Sequence, residues 1–325
     1  MRGAIYNPHT DEIANVRRCS TPDRSQCPEA NVASLSKKTF NVLHRLGVEV
    51  TNNQQPRQVV IGFPGPVSPA GYALAAPTMW GDCCHERIDI VSLARQYWPD
   101  SGICVINDVT AAGYRYMING NDSFSIITVS SGIGNKLFID GKAIVGPNGI
   151  GGELGHICID YGPDAPICEC GGKGHLAAFA SGRASRHQAS ALAEGMPSHY
   201  STSNLAQELN WDISRLKNEI LLRHFYEGDY WAGKIVEAMA RPIGQIIAIQ
   251  HLETGIERFI LVGGFALAAG QGYLEMVAES AAHSGWRHSG NFFQMIELGI
   301  ADDDAGLIGA GRYAVAMRNR RGDTI

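Results

Sequence analysis

Apolar and polar positions along this chain follow two different periods, and they separate strands from helices. Residues 3–6 are an apolar run, Asn7-Pro8 is a turn pair, and residues 12–18 read as a returning strand. Residues 31–46 carry apolar side chains three and four apart, which predicts a helix. Residues 58–62 (QVVIG) and 103–106 are β-branched runs of the kind buried in parallel sheets. Between them, residues 63–69 form a Pro/Gly-rich loop and residues 88–97 have helical spacing. The second run stops at Asn107-Asp108, and residues 110–117 are again helical in pattern. Further strands are predicted at 124–129 and 136–139, with a hairpin signal at Asp140-Gly141. Residues 185–252 are mostly helical, 258–262 form a strand ending at Gly263-Gly264, and 306–317 form a closing helix. Strands that meander and then alternate with helices in both halves predict two α/β lobes with a cleft between them.

Composition sharpens the picture in one place. Glycine accounts for 38 of 325 residues, about 12% against a usual ~7%. Thirteen of these lie between Gly132 and Gly182, so the backbone there must turn tightly or approach something closely. The net charge of −5 argues against a dedicated nucleic-acid binder. The most apolar stretch, residues 259–267, is too short to cross a membrane and contains Gly263 and Gly264. The first residues hold no signal-peptide core. Eight cysteines, with Cys83 and Cys84 adjacent, are too few for a disulfide scaffold. A reduced, cytoplasmic setting is the expectation.

Candidate chemistry concentrates in the glycine-rich half. His156, Cys168, Cys170 and His175 can supply four nitrogen and sulfur ligands to zinc, and a site with four protein ligands is closed and structural. Asp108 directly follows a buried strand, a position that suits a general base and equally suits a helix cap. Glu153, flanked by glycines in Gly151-Gly152-Glu153-Leu154-Gly155-His156, could meet a ligand or be a solvated loop acid. The turns Ser130-Ser131-Gly132-Ile133-Gly134 and Val262-Gly263-Gly264 each follow a strand and could cradle phosphate or a nucleotide's flat surfaces.

Together these segments resemble the ROK family of sugar kinases and sugar-responsive repressors, whose signature is GGExGH followed by CxCGxxGC. Here GGELGH starts at Gly151 and CECGGKGH at Cys168, with His175 in place of the last cysteine. GFPGPV from Gly62, APTMW from Ala76, NDVTAAG from Asn107, SSGIG from Ser130, VGGF from Val262 and AGLIGAG from Ala305 extend the likeness along the chain. The resemblance implies an α/β, actin-like ATPase fold of the ribonuclease H-like, hexokinase type, with two lobes and a central cleft. Residues 1–109, completed by about 303–325, would form the smaller lobe and residues 110–302 the larger one, with the zinc loop. It also implies transfer of phosphate from ATP, with Mg2+, to a hydroxyl of a hexose-like sugar, aminosugar or cyclitol. Asp108 would be the base, and Gly65, Thr78, Asn107, Asp108, Glu153 and His156 would contact the substrate. Ser131, Gly132 and Gly134, with Gly263 and Gly264, would contact the nucleotide. A homodimer is the family default.

Two departures bear on function. The family's first phosphate loop, DxGGT, does not occur in this sequence, nor does the strand before it. Either it is encoded upstream of Met1, the favoured reading, or the chain is a sugar-binding sensor or pseudokinase. A DNA-binding helix-turn-helix before Gly3 has no room, so a repressor is not expected. Second, the family's sugar-binding glutamate two positions after the last zinc ligand is Ala177, and the usual APN segment carries Thr78. Both changes point away from plain glucose and towards a modified sugar or a C7 cyclitol.

Overall fold

The computed structural model describes residues 1–25, 27, 30–80 and 87–321, with Cys83 and Cys84 outside that set. The chain opens with a hairpin, β1 (Arg2–Asn7) and β2 (Glu12–Arg18), then the long helix α1 (Val32–Thr51) and β3 (Gln58–Phe63). Short elements follow: β4 (Tyr72–Ala73), α2 (Pro77–Trp80), β5 (Ile88–Asp89) and α3 (Ile90–Arg95). Next come β6 (Gly102–Asn107), α4 (Asp108–Arg115), β7 (Phe124–Val129), β8 (Ile133–Ile139) and β9 (Lys142–Ala143). The helical stretch comprises α5 (Ala177–Ala180), α6 (Ser185–Gly195), α7 (Pro197–Thr202), α8 (Asn204–Glu208), α9 (Asn218–Tyr226) and α10 (Tyr230–Thr254). The chain closes with β10 (Phe259–Val262), α11 (Gly264–Ser284), α12 (Phe292–Met295), β11 (Ile296–Leu298) and α13 (Ala305–Arg321).

The elements sort into two compact units. The first comprises residues 1–122, 138–152 and 302–325, and the second residues 123–137 and 153–301.

In the first unit, β1–β2 and β3–β6 are separate two-stranded sheets, antiparallel and parallel respectively. Its core gathers Leu35 and Phe40 of α1, Ile61 and Phe63 of β3, Trp80, Ile90, Trp98 and Val105. Trp80 is buried against Phe63, with ring centroids 5.3 Å apart. The helix α13 packs on α4, where Gly309 lies so close to the Ala111 carbonyl that no side chain fits between them. Arg312 of α13 also reaches the β1–β2 turn, donating from Nε to Asp11 Oδ1 at 2.9 Å.

The second unit is built on sheet strands in the order β11-β10-β7-β8. Its central strands β7 and β10 are buried: β10 is an unbroken apolar run, and β7 is apolar apart from Ser125 and Thr128. A buried polar set ties the sheet to α10. Asn135 of β8 donates from Nδ2 to Ser125 Oγ at 2.8 Å, and Ser125 Oγ donates to Gln250 Oε1 at 3.0 Å. Burial without such partners would cost each group its hydration.

Four expectations change. The helix predicted over residues 88–97 begins as a two-residue strand, because Asp89 caps the helix by accepting from the Ser92 N–H at 2.8 Å. The strand predicted from residue 136 starts at Ile133, so Gly134 sits inside β8 rather than in the preceding turn. The pattern did not show α11, whose Ala- and Gly-rich sequence is apolar all round and so lacks a clear stripe. Nor did it show β11, which is only three residues long.

Candidate functional site

In the first unit, β3 and β6 are parallel with Phe63 opposite Asn107. The loops that follow them therefore leave the sheet at one edge, the position where α/β sheets place reactive groups. Gly65 lies in one loop, and Asn107 and Asp108 begin the other. The sequence left open whether Asp108 caps the helix. Asn107 does so: its Oδ1 accepts from the N–H groups of Val109 and Thr110, both at 3.0 Å. Asn107 Nδ2 donates to the Gly65 carbonyl at 3.0 Å and to Asp108 Oδ1 at 3.1 Å. One amide thus fixes the loop, the carboxylate and the helix start. Asp108 is exposed in the first turn of α4, accepting from the Val109 N–H at 2.8 Å, where helix N–H groups favour an anion. Thr78 falls in α2, and its side chain lies outside the described residues.

In the second unit, β7 and β10 are parallel with Thr128 opposite Val262. Two turns separated widely in sequence therefore leave the sheet side by side. Gly263 adopts φ 96°, and a Cβ there would stand 2.6 Å from the Val129 carbonyl oxygen, so only glycine fits. In the other turn, Ser130 N–H donates to the Gly132 carbonyl at 2.9 Å, while the Ser130 carbonyl accepts from Gly182 N–H at 2.7 Å. Ser131 is exposed, and Gly132 faces open space. Ser131, Gly132, Gly263 and Gly264 are thus neighbours along one sheet edge.

Glu153 precedes a 3-10 turn, Leu154–His156, whose last N–H bonds to the Glu153 carbonyl at 3.0 Å. Its Oε1 lies 3.2 Å from Nζ of Lys136, a β8 lysine whose side chain is 2% exposed, against 34% for Glu153. The sequence alone assigns Lys136 no role. The available signal was a charge inside a strand otherwise suited to burial.

The ligand atoms of His156, Cys168, Cys170 and His175 all lie within 4.8 Å of one another. His156 Nδ1 is 4.0 Å from Cys168 Sγ, and His175 Nδ1 is 3.2 Å from Cys170 Sγ. Tetrahedral zinc bonds of about 2.0–2.3 Å put ligand atoms roughly 3.3–3.8 Å apart, so the four fit a closed zinc site after slight contraction. The backbone is already folded around it. Cys168 N–H bonds to the Gly172 carbonyl and Gly171 N–H to the Cys168 carbonyl, both at 2.8 Å. Burial pushes the Cys168 thiol up, so metal binding there would release a proton. Ala177, two residues after His175, starts α5 and offers only a methyl group.

A family model described as the ROK family matches residues 29–316. The chain belongs to the ROK family. A C(7)-cyclitol 7-kinase from Streptomyces hygroscopicus subsp. jinggangensis is 33% identical over 321 residues, covering 94% of this chain and 88% of the relative. A glucokinase from Aeropyrum pernix is 25% identical over 255 residues, covering 77% and 75%. Among solved structures, a ROK family glucokinase from Streptomyces griseus, in complex with glucose and AMPPNP, superposes with a TM-score of 0.73. It is 22% identical, and the match covers 95% of this chain and 94% of that one. This ROK chain therefore has the actin-like ATPase fold that the motifs implied. No described helix is long and apolar enough to cross a membrane.

Proposed function

We propose that this ROK chain is an ATP-dependent carbohydrate kinase whose acceptor is a C7 cyclitol or a close hexose-like relative. The observation that carries this is the near-full-length likeness to C(7)-cyclitol 7-kinases, against a shorter and weaker match to a glucokinase. Ala177, where the family carries a sugar-binding carboxylate, supports an acceptor that differs from glucose at that edge.

Phosphoryl transfer asks the protein mainly to position groups and stabilise charge. In this reading Asp108 takes the proton of the attacking hydroxyl, held in place by Asn107 and the Gly65 loop. Glu153, His156 and Thr78 orient other hydroxyls. Ser131 and Gly132 offer donors to phosphate oxygens, and the open backbone at Gly263 and Gly264 admits the adenosine. When bound with ATP, Mg2+ offsets charge on the transferring group. Zinc at His156, Cys168, Cys170 and His175 would hold the turn that carries Glu153. The family's homodimer and a cytoplasmic setting complete the proposal.

The test is phosphate transfer from ATP across a panel of C7 cyclitols, glucose, aminosugars and N-acetylmannosamine. A cyclitol should give the highest kcat/KM. Asp108→Asn should cut turnover by at least about a hundredfold while acceptor binding stays within about threefold. A hexose preferred over every cyclitol would overturn the acceptor class. Acceptor binding without transfer in the wild-type chain would favour a sensor instead.

A further inference from the structure

A fully buried lysine next to a proposed substrate ligand is an unusual placement. Side chains alternate along β8, and Asn135 points towards Gln250 of α10. Lys136 therefore projects from the opposite face of the strand, where its ammonium meets the Glu153 carboxylate at 3.2 Å. The exposures are lopsided: lysine is sealed, glutamate partly open. An unpaired buried ammonium would be expensive, so the carboxylate is anchored through Oε1 while Glu153 stays partly open, which leaves its other oxygen for an acceptor.

This arrangement has a consequence for charge. The pair is neutral as a unit, so Glu153 can still accept a hydrogen bond but no longer offers a net negative charge. An acceptor ammonium on the outward oxygen would sit within about 4–6 Å of Nζ, the range over which like charges repel appreciably. A hydroxyl there meets no such penalty. Resting on the kinase activity proposed above, we propose that Lys136 is a positioning and specificity-determining residue. It orients Glu153 for a neutral hydroxyl and cancels much of the attraction that the carboxylate would otherwise give an amine at that position of the acceptor, leaving the amine's desolvation uncompensated.

Calorimetric titration at pH 7 tests this without requiring turnover. The ligands are the best-bound neutral acceptor of the panel and its analogues with each hydroxyl replaced in turn by an amine. In wild type at least one amine should bind about tenfold more weakly than the neutral parent. Lys136→Met should weaken the neutral acceptor and shift that amine-to-neutral ratio about tenfold towards the amine. Lys136→Arg should keep the wild-type ratio. Glu153→Gln leaves the buried lysine in place and should make the same amine lose about tenfold more affinity than the neutral parent. A folded Lys136→Met protein with the wild-type ratio and wild-type affinity would overturn the proposal. Should that variant not fold, the Glu153→Gln arm decides: equal losses for amine and parent overturn it. If Glu153→Gln changes neither affinity, Glu153 is not in the acceptor site, and the reading beneath the proposal fails as well.

Discussion

At the scale of single residues, Asn107 does three jobs with one amide. Its oxygen caps α4, and its nitrogen holds the Gly65 carbonyl and Asp108. The jobs separate by mutation. Asn107→Ser retains a good capping oxygen and loses the amide donor. Its melting temperature should stay within a few degrees of wild type, while kcat falls about tenfold or more as Asp108 loses its fixed orientation. Asn107→Ala should show the same kinetic loss and about 1 kcal/mol of lost stability besides. Turnover and thermal denaturation on the two variants check this. A serine variant with wild-type turnover would show that Asp108 needs no such restraint. How much of the site was readable depended on distance along the chain. The clustering of His156, Cys168, Cys170 and His175 was legible because these donors fall within twenty positions and their residue types are specific. Asp108 was legible from the strand before it, but its division of labour with Asn107 was not, since either residue type can cap. The Lys136–Glu153 pair was invisible, because a strand lysine ordinarily faces water.

At the scale of elements, the strands were the most readable because β-branched runs bounded by Gly, Asn and Asp leave few alternatives. The sheet edge that gathers Ser131 and Gly263 was not readable, since parallel pairing of β7 with β10 spans more than a hundred residues. Helix crossings were equally hidden. The α4–α13 contact depends on Gly309 lying against the Ala111 carbonyl. A larger residue there must push α13 off the helix that begins with Asp108. Gly309→Val should cost about 1–3 kcal/mol or more, and kcat should fall with it. Gly306 has open space around it, so Gly306→Ala is the control and should be neutral or slightly stabilising. Denaturant unfolding measures both.

At the scale of the whole molecule, one charge pair fastens the last helix to the first hairpin and a second fastens the segment before that helix to α4. The Arg312 guanidinium holds the Asp11 carboxyl below the usual carboxylate range, and Arg115 does the same for Asp302. Burial and the neighbouring Asp11 push the Tyr6 phenol up to about 12, so it stays a neutral donor to Asp11. A carboxylate depressed in the folded state adds stability above its unfolded value, near pH 4, and loses it as pH falls through the folded value. Arg312→Met should therefore lower the melting temperature at pH 7. The gap from wild type should close progressively below about pH 4. A gap of constant size from pH 7 to pH 3 would assign the effect to packing alone.

The first unit is assembled from three separated pieces of chain, whereas residues 153–301 of the second are continuous. Synthesis runs from the N-terminus, so α4 and the Asp108 end of its strand emerge long before α13 exists to cover them. Until then the Ala111 face stays open, and a nascent chain nearly three hundred residues long carries an unfinished first unit. The order of completion thus reverses the order of translation. A ribosome stalled just before residue 302 would leave the first unit without α13, and emergence of that helix would be the step that closes the Ala111 face.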